Sequence, residues 1–505
     1  MIALAFAAVA AVLHLGTAWR YGYFRDELYF IATSKHLAWG YVDQPPLVAL
    51  AAWFASPFGY NLIALRVLPA LAAAGTVALA VTIARDFGAG RFGQLLAGTA
   101  TLLLPAYLLL GNVLTTTSFE PFAWTLTIYA CLRLERDSRY WILVMAAVAF
   151  GAYGKYSIAL LAVALTIGML AFRETRAAFR SVWFPVAVSG MLILIAPNLL
   201  WQMQHGWPFV EVIRGDDLHR HAFQNGVTLE YRDVASNAIA FVVEQFLYTG
   251  PVNAILWIAG LIAPFFFVAL RPARFLAVAY VVLLTAGALL SAKGYYIIGF
   301  YAAPIALGSV ALERAGAPWL RNAVFTLVAV AGAVAMPLSI PVLPVDALVA
   351  YSKALGLTGR DGTPPHLIQP VFAEEFGWER LAADVATVYR ALPPAQRART
   401  AIYADTYGDA GALDFFGPRF GLPAVISTQN TYYLWGPRAY DGSTLVAIGG
   451  TRIALLRRYY RSCLLVKTST EPYKWVVEGP APIYACTSPT KPLPAIWRDL
   501  RWYGA

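Results

Sequence analysis

The chain has 505 residues, of which 59% are hydrophobic and 13% are charged, and its formal net charge at pH 7 is +10. Soluble domains average roughly 25% charged residues, so this composition excludes an ordinary water-soluble protein. The basic residues lie in short clusters between apolar segments and form no contiguous basic domain. This distribution argues against nucleic-acid binding and favours orientation in a membrane, with anionic lipid as a further contact.

The apolar segments predict about eleven membrane spans, because most of them approach the ~20 residues that cross a bilayer. The first span lacks a basic stretch and a cleavage site, so we interpret it as a retained helix and not as a signal peptide. A stretch at 235–249 is interpreted as another partial span, so we expect an α-helical polytopic fold with about 11–13 transmembrane helices. The predicted spans are 2–18, 62–84, 92–111, 115–132, 140–153, 156–172, 182–200, 251–270, 275–292, 295–312 and 322–343.

Alternate loops between these spans are rich in arginine, and the positive-inside rule places such loops in the cytoplasm. The arginines are Arg85, Arg91, Arg133, Arg136, Arg139, Arg173, Arg176, Arg180, Arg271, Arg274, Arg314 and Arg321. The N-terminus is then cytoplasmic, whereas loops 19–61 and 201–250 and the segment from 344 lie outside. We therefore predict a multi-pass membrane protein with a transmembrane domain at 1–343.

The segment 344–505 predicts a separate extracytoplasmic α/β domain, since its apolar content falls and its Pro, Gly and charge content rises. Thr400 to Ala404, Ala424 to Ser427 and Thr444 to Ile448 are typical of strands, and Gly408 to Phe416 of a short helix. Cys463 and Cys486 lie in this domain, where an oxidising compartment permits a disulfide between them. Cys131, the remaining cysteine, ends an apolar segment and is interpreted as inert.

Two adjacent carboxylates, Asp26 and Glu27, follow the first apolar segment and are surrounded by aromatic residues. One of them could act as a base while the other holds a cation or an amide, although a solvated helix end is the alternative. Further along the same loop, Asp43 and Gln44 precede a double proline, which fixes φ twice and removes two donors. This pair predicts either a simple loop-to-helix corner or an ordered site on the external loop.

Glu120 lies at the outer end of the fourth predicted span, where it either faces the protein interior as a functional acid or stabilises the helix N-terminus. Lys155 and Lys293 lie at outer turns, against the positive-inside bias. Snorkelling of the ammonium groups to the interface is one explanation. The other is a pair of cations that holds a phosphate, which Arg66 could join. His219 and His221 match no strong metal-binding spacing.

The sequence resembles the GT-C membrane glycosyltransferases, and most closely the bacterial branch of the protein O-mannosyltransferase and aminoarabinose transferase superfamily. The segments that carry the resemblance are 25–30, 36–47, 154–157, 204–208, 293–296, 407–412 and 432–437. The resemblance implies a transferase that moves a sugar from a polyprenyl-phosphate carrier to a lipid, glycan or protein acceptor on the outer face. It places the catalytic carboxylate on Asp26, with Glu27 beside it, and a second acid on Glu120. The aminoarabinose branch has a phosphate-binding lysine where this chain has Gln44, which argues against an aminoarabinose donor.

The residues themselves are consistent with such a reaction. Phosphate is a good leaving group when cations take its charge, so the chemistry needs a base at the acceptor hydroxyl more than an acid. We expect Asp26 to be that base, Lys155 and Lys293 to stabilise the phosphate, and in-line attack to invert the anomeric centre. The predicted substrate groove consists of Tyr29, His36, Trp39, Asp43, Tyr156 and Tyr296. No metal is required, although the adjacent acids leave room for a divalent cation.

Two other functional classes compete with the transferase. A transporter or lipid flippase also has many spans, but its ion sites lie near the bilayer midplane on broken helices. A scaffold that binds cell-wall glycan would leave Asp26, Glu27, Lys155 and Lys293 unexplained. The clustering of ionisable residues at the outer surface favours the transferase.

Overall fold

A computed structural model describes residues 1–214, 234–290, 292–357, 368–474 and 480–504. His219 and His221 lie outside these described residues. The chain folds into two compact units. The first consists of Met1–Trp19, Arg66–Trp201 and Gln224–Val342, and the second of Arg20–Leu65, Gln202–Phe223 and Leu343–Ala505.

All the secondary-structure elements described up to residue 343 are helices. Its α-helices are α1 (Ile2–Thr17), α2 (Arg25–Ser34), α3 (Leu47–Phe54), α4 (Leu62–Asp86), α5 (Arg91–Leu102), α6 (Pro105–Leu110), α7 (Glu120–Arg133), α8 (Tyr140–Gly154), α9 (Ile158–Ala171), α10 (Arg173–Arg176), α11 (Trp183–Gln204), α12 (Val234–Thr249), α13 (Ala254–Ile262), α14 (Phe275–Leu289), α15 (Ala302–Ala315) and α16 (Pro318–Ala335). Short 3₁₀ helices at Ser56–Phe58, Ala177–Arg180, Pro251–Asn253, Ala263–Phe265, Val268–Ala273, Gly294–Phe300 and Met336–Leu338 connect or extend them.

Among the described residues, four helices are long and apolar enough to cross a membrane, and up to seven if each bent pair counts as one span. The four are Leu62–Asp86, Trp183–Gln204, Val268–Leu289 and Pro318–Leu338. The described residues thus contain fewer membrane-length helices than the eleven spans counted from the sequence, because some apolar segments are bent or short. Several apolar segments bend sharply at a break, as between Ile158–Ala171 and Arg173–Arg180, and others, such as Ile2–Thr17, are short. Hydropathy shows that a segment is apolar but does not show where its helix breaks.

The second unit combines helices with a five-stranded sheet. Its elements after residue 343 are α17 (Val345–Ala354), α18 (Pro370–Ala373), α19 (Trp378–Ala391), α20 (Pro394–Arg397), β1 (Thr400–Ala404), α21 (Tyr407–Phe416), β2 (Val425–Ser427), α22 (Asn430–Leu434), β3 (Thr444–Ile448), α23 (Ile453–Leu456), β4 (Tyr460–Ser469), β5 (Ala481–Pro489) and α24 (Leu493–Ile496), with 3₁₀ turns at Gly417–Phe420 and Trp497–Leu500. The predictions of β1, β2, β3 and the helix between β1 and β2 are confirmed. The long strands β4 and β5 were not predicted from the sequence.

The strand order is β2-β1-β3-β5-β4. Strands β2, β1 and β3 are parallel, whereas β5 pairs antiparallel with β3 and with β4. Cys463 and Cys486 are register partners on β4 and β5 and are joined by a disulfide bond. The parallel half brings the carboxyl ends of β1 and β2 to one edge, which is where open α/β sheets usually bind their ligands.

Candidate functional site

Asp26, the predicted base, lies in the first turn of α2, in the second unit. Its Oδ1 accepts a hydrogen bond from the Tyr407 hydroxyl at 2.9 Å and an ion-pair contact from Arg25 Nε at 3.3 Å. The Arg25 guanidinium also contacts Glu374 at 3.3 Å and lies over the Tyr407 ring at 5.3 Å from its centroid. Tyr407 and Arg25 therefore hold the Asp26 carboxylate through its Oδ1. Arg25 is itself fixed by its contact with Glu374.

Two glycines of α21 allow α2 to come close enough for these contacts. A Cβ at Gly411 would lie 2.7 Å from the carbonyl carbon of Leu28, and a Cβ at Gly408 would lie 2.5 Å from the Arg25 side chain. Real Cβ atoms do not approach other atoms so closely, so only glycine permits this packing of α21 on α2. The motif 407–412 thus supplies both a hydrogen-bond donor and the space that lets the donor reach Asp26.

Glu27, the second acid of the pair, points elsewhere. It is fully buried, and its Oε2 accepts a hydrogen bond from the Phe24 backbone N–H at 2.9 Å. A carboxylate at the third helical position that binds the residue before the helix satisfies a donor without a helical partner. The contact gives Glu27 a structural role at the start of α2 and fixes the turn that carries Asp26.

Asp43 lies in a second polar cluster of the same unit. Its Oδ1 accepts a hydrogen bond from the Tyr29 hydroxyl at 2.8 Å, and its Oδ2 accepts one from Asn430 Nδ2 at 3.2 Å. The Tyr29 oxygen in turn accepts from the Thr431 backbone N–H at 3.2 Å. Asn430 has a left-handed backbone, with φ of 48°, and its side-chain oxygen accepts from the Gly504 N–H at 3.0 Å.

Burial raises the pKa of Asp43 to about 7, although its hydrogen bonds from Tyr29 and Asn430 oppose the shift. The negative charge of Asp26 raises it further. The carboxyl of Asp43 therefore changes its protonation state near neutral pH, while the buried Tyr29 hydroxyl, whose pKa is also raised by burial, stays protonated. This makes Asp43 the titrating group of the cluster.

Both clusters lie at the carboxyl edge of the parallel strands. Tyr407 begins the helix after β1, and Asn430 begins the short helix after β2. Gln429 joins the two connections, because its Oε1 accepts a hydrogen bond from the Tyr407 N–H at 2.7 Å. The C-terminal segment closes the arrangement, since Gln429 Nε2 donates to the Gly504 carbonyl at 2.9 Å. The loop 19–61 and the α/β fold thus form one hydrogen-bonded site within this unit.

The first unit contains a separate cationic cluster. Lys155 Nζ lies 3.6 Å from Glu120 Oε2, donates to Thr117 Oγ1 at 2.9 Å, and lies over the ring of Tyr296 at 4.5 Å from its centroid. Lys293 is close enough for its charge to act on Lys155. The Glu120 side chain is 1% exposed and also accepts a hydrogen bond from the Ser157 hydroxyl. Lys155, a predicted phosphate ligand, and Glu120, the predicted second acid, therefore meet in one place.

The other predicted residues make contacts of their own. Arg66 is fully buried and donates to the Ala18 carbonyl at 3.0 Å, and the Tyr156 hydroxyl donates to Asn198 at 2.9 Å. Gln44 is buried next to Asp43, and among the described residues its Nε2 has no hydrogen-bond partner. Trp39 is 59% exposed, and the His36 ring packs on Trp435 with centroids 4.6 Å apart.

Tyr407, Asn430 and Thr431 were missed as site residues, although two of the family-like segments lie on or next to them. Their signal is the resemblance in 407–412 and 432–437, which marked the segments without a role for any side chain. Within the part of the chain that the structure describes, no group of three or more His, Cys, Asp or Glu residues is arranged to hold a metal ion. The expectation of a metal-independent reaction stays a prediction.

Comparison with known proteins identifies the fold. Two crystal structures of ArnT from Cupriavidus metallidurans each cover 95% of this chain, and the chain covers 97% of each of them. The apo structure gives a TM-score of 0.58 at 15% identity, and the structure bound to undecaprenyl phosphate gives 0.60 at 16%. The chain has the GT-C fold. At such low identity the likeness establishes architecture and not substrate.

A family model agrees with this assignment. Residues 43–201 match the family described as dolichyl-phosphate-mannose-protein mannosyltransferase, which is less than half of the chain. No curated protein matches the sequence. The family match and the GT-C fold together support the assignment of the chain to the protein O-mannosyltransferase-like GT-C superfamily, a group of multi-pass membrane glycosyltransferases. The predicted fold class and family resemblance are confirmed.

Proposed function

We propose that this GT-C protein transfers a sugar from a polyprenyl-phosphate-linked donor to a lipid, glycan or protein acceptor on the outer face of a bacterial inner membrane. The observation that carries the proposal is the similarity over 95% of the chain to an ArnT structure bound to undecaprenyl phosphate. The arginine-rich loops support a cytoplasmic N-terminus and an extracytoplasmic α/β domain.

The acidic cluster of the second unit activates the acceptor in this proposal. Tyr407 and Arg25 both bind Oδ1 of Asp26, so we assign Oδ2 as the atom that takes the proton from the attacking hydroxyl. A carboxylate fixed in this way is oriented before the acceptor arrives, which lowers the barrier without any movement of the base. Asp43 holds the neighbouring Tyr29 and thereby fixes the loop between the two acids.

The cationic cluster of the first unit stabilises the leaving group in this proposal. The bond from the sugar C1 to the phosphate oxygen breaks as the acceptor oxygen attacks C1, and the electron pair stays on the phosphate. Lys155 and Lys293 would bind the resulting lipid phosphate, since ammonium groups act as point charges for phosphate oxygens. Glu120 holds Lys155 in place through their ion pair. Attack opposite the leaving group inverts the configuration at C1.

A reconstituted transfer assay tests this function. The purified protein would receive a panel of polyprenyl-phosphate sugars, nucleotide sugars as competing donors, and membrane extract as acceptor. We expect one polyprenyl-phosphate sugar to give product with an inverted anomeric linkage, and no nucleotide sugar to do so. Transfer from a nucleotide sugar, or retention at C1, would contradict the proposal. Lipid translocation without transfer from any donor would favour a flippase.

A further inference from the structure

A cavity of about 320 Å³ in the second unit is not explained by the proposed reaction. It lies at the C-terminal end of α2, where Lys35 and His36 form one wall, and residues of the segment 413–438 form the other. Asp26 and Lys35 are nine residues apart, which corresponds to about 14 Å along a helix. The cavity is therefore at the opposite end of α2 from the proposed base, too far for its occupant to react there.

The cavity is lined by both apolar and charged side chains. Leu413, Pro418 and Leu422 are apolar, Trp435 presents an indole ring, and Lys35, Arg438 and Asp414 bring charges into the same space. The volume lies within the ~300–1,000 Å³ that small-molecule sites commonly have. Polar and apolar groups contribute about equally to the lining, which is suited to a ligand that has both kinds of surface.

The charged groups of the cavity are arranged so that the cations are available. Asp414 accepts hydrogen bonds from the Tyr432 hydroxyl at 2.8 Å and from the Val425 N–H at 3.4 Å, so its carboxylate is engaged by the protein. Burial, followed by the positive charges of Arg438 and Lys35, lowers the pKa of His36, with Asp414 opposing the shift, so His36 is neutral at pH 7. Lys35 and Arg438 therefore supply the positive charge of the cavity.

Arg438 is held in an unusual backbone conformation at this wall. Its φ is 54°, in the left-handed region that is strained for a residue with a Cβ. Its Nε donates to the Val425 carbonyl at 3.1 Å, and this contact fixes the orientation of the guanidinium group. Such strain persists where the surrounding structure fixes it, and it is common at ligand-binding positions.

We propose that this cavity binds an anionic sugar unit, a uronic acid or a sugar phosphate, that belongs to the acceptor. The flat C–H face of a pyranose ring packs on an indole, and the Arg438 and Lys35 cations bind one carboxylate or phosphate group. An acceptor of several sugar units would place this distal unit in the cavity and its reacting hydroxyl near Asp26. The assignment to the acceptor rests on the proposed function, whereas the binding itself does not.

Direct binding to the full-length protein in detergent micelles tests the inference. Saturation-transfer NMR and calorimetry would use methyl glucuronide, glucose 6-phosphate, methyl glucoside and inorganic phosphate as probes. We expect saturable binding of at least one anionic sugar, at least about tenfold tighter than that of methyl glucoside or phosphate. The Arg438→Gln and Lys35→Gln variants should each weaken it about tenfold or more, because each removes a charge-assisted hydrogen bond. Trp435→Leu should weaken both anionic sugars alike.

The matched control is Arg461→Gln, which removes an exposed arginine of β4 that does not line the cavity. Binding that is equal in the wild type, Arg438→Gln and Lys35→Gln would overturn the inference, as would equal binding of methyl glucoside. Binding of inorganic phosphate as tight as that of the sugars would reduce the cavity to an anion site and overturn the saccharide assignment. Failure of the transferase function would appear separately, as no transfer from any donor while the sugar still binds.

Discussion

The hydrogen bond from Tyr407 to Asp26 provides a quantitative test of how the base is held. Tyr407→Phe keeps the ring that packs on Tyr29 and removes only the hydroxyl, which lies 2.9 Å from Asp26 Oδ1. A hydrogen bond to a charged group contributes about 1.5–3 kcal/mol, and each 1.36 kcal/mol corresponds to a tenfold change in rate. We therefore expect kcat for sugar transfer to fall about tenfold to a hundredfold, with a smaller change in KM for the donor.

Tyr403→Phe is the matched control for this experiment. Its hydroxyl is also buried in the α/β domain and is hydrogen-bonded to Thr428 Oγ1 at 2.8 Å, but it does not contact Asp26. Both variants should lower the thermal midpoint of unfolding by a similar amount, and only Tyr407→Phe should lower kcat. Equal kcat values for the two variants, with both proteins folded, would refute the view that Tyr407 orients the base.

Three further substitutions test other parts of the site. Gly411→Ala should destabilise the protein by about 1–3 kcal/mol and lower activity, because the new Cβ would lie 2.7 Å from the α2 backbone. Gly16→Ala, which has open space around its Cβ inside helix α1, should not lower the melting temperature. Because the pKa of Asp43 is raised, the folded protein binds more protons than the unfolded chain between pH 4 and about 7, so its stability should decrease as the pH rises through this window. Asp43→Asn should remove this contribution to the pH dependence. Thermal midpoints that change with pH in the same way in both proteins would contradict this. Lys155→Gln should lower the free energy of unfolding by about 3 kcal/mol, since it leaves the Glu120 carboxylate buried without its cation. Adding Glu120→Gln should restore stability but not sugar transfer. Restored transfer in the double variant would exclude Lys155 as a phosphate ligand.

Much of the local structure could be predicted from the sequence. The bounds of β1 and β3 agree with prediction, because short buried runs of apolar residues between polar turns identify strands of a parallel sheet. The family resemblance is also confirmed, by a family model that matches residues 43–201.

Long-range pairing could not be predicted in the same way. The donor to Asp26 comes from Tyr407, and the donors to Asp43 come from Tyr29 and Asn430, so the partners lie on segments that only the fold brings together. The sequence analysis expected the two adjacent acids to have different partners, and this agrees with the contacts of Asp26 and Glu27. On a helix, neighbouring side chains point about 100° apart, so Asp26 and Glu27 meet different partners.

The strand pair β4 and β5 shows a different limit. Its inner positions alternate irregularly between buried and exposed residues, so the period-2 pattern that identifies a strand is weak. Helix breaks are a third case. Gly250 and Pro251 mark the break between Asn237–Thr249 and Pro251–Phe265, but the break after Ala171 has no such signal and depends on packing around the bend.

The most direct test of the account is sugar transfer by Asp26→Asn. The change is isosteric and removes the charge that the proposed base needs, and Asp499→Asn makes the same change at an exposed carboxylate of the second unit. We predict that Asp26→Asn loses at least about a hundredfold in kcat, as expected when a general base is removed, while it folds and binds donor like the wild type. Asp499→Asn should retain full activity. Full activity of Asp26→Asn would contradict the assignment of the base and would shift the catalytic role to another carboxylate.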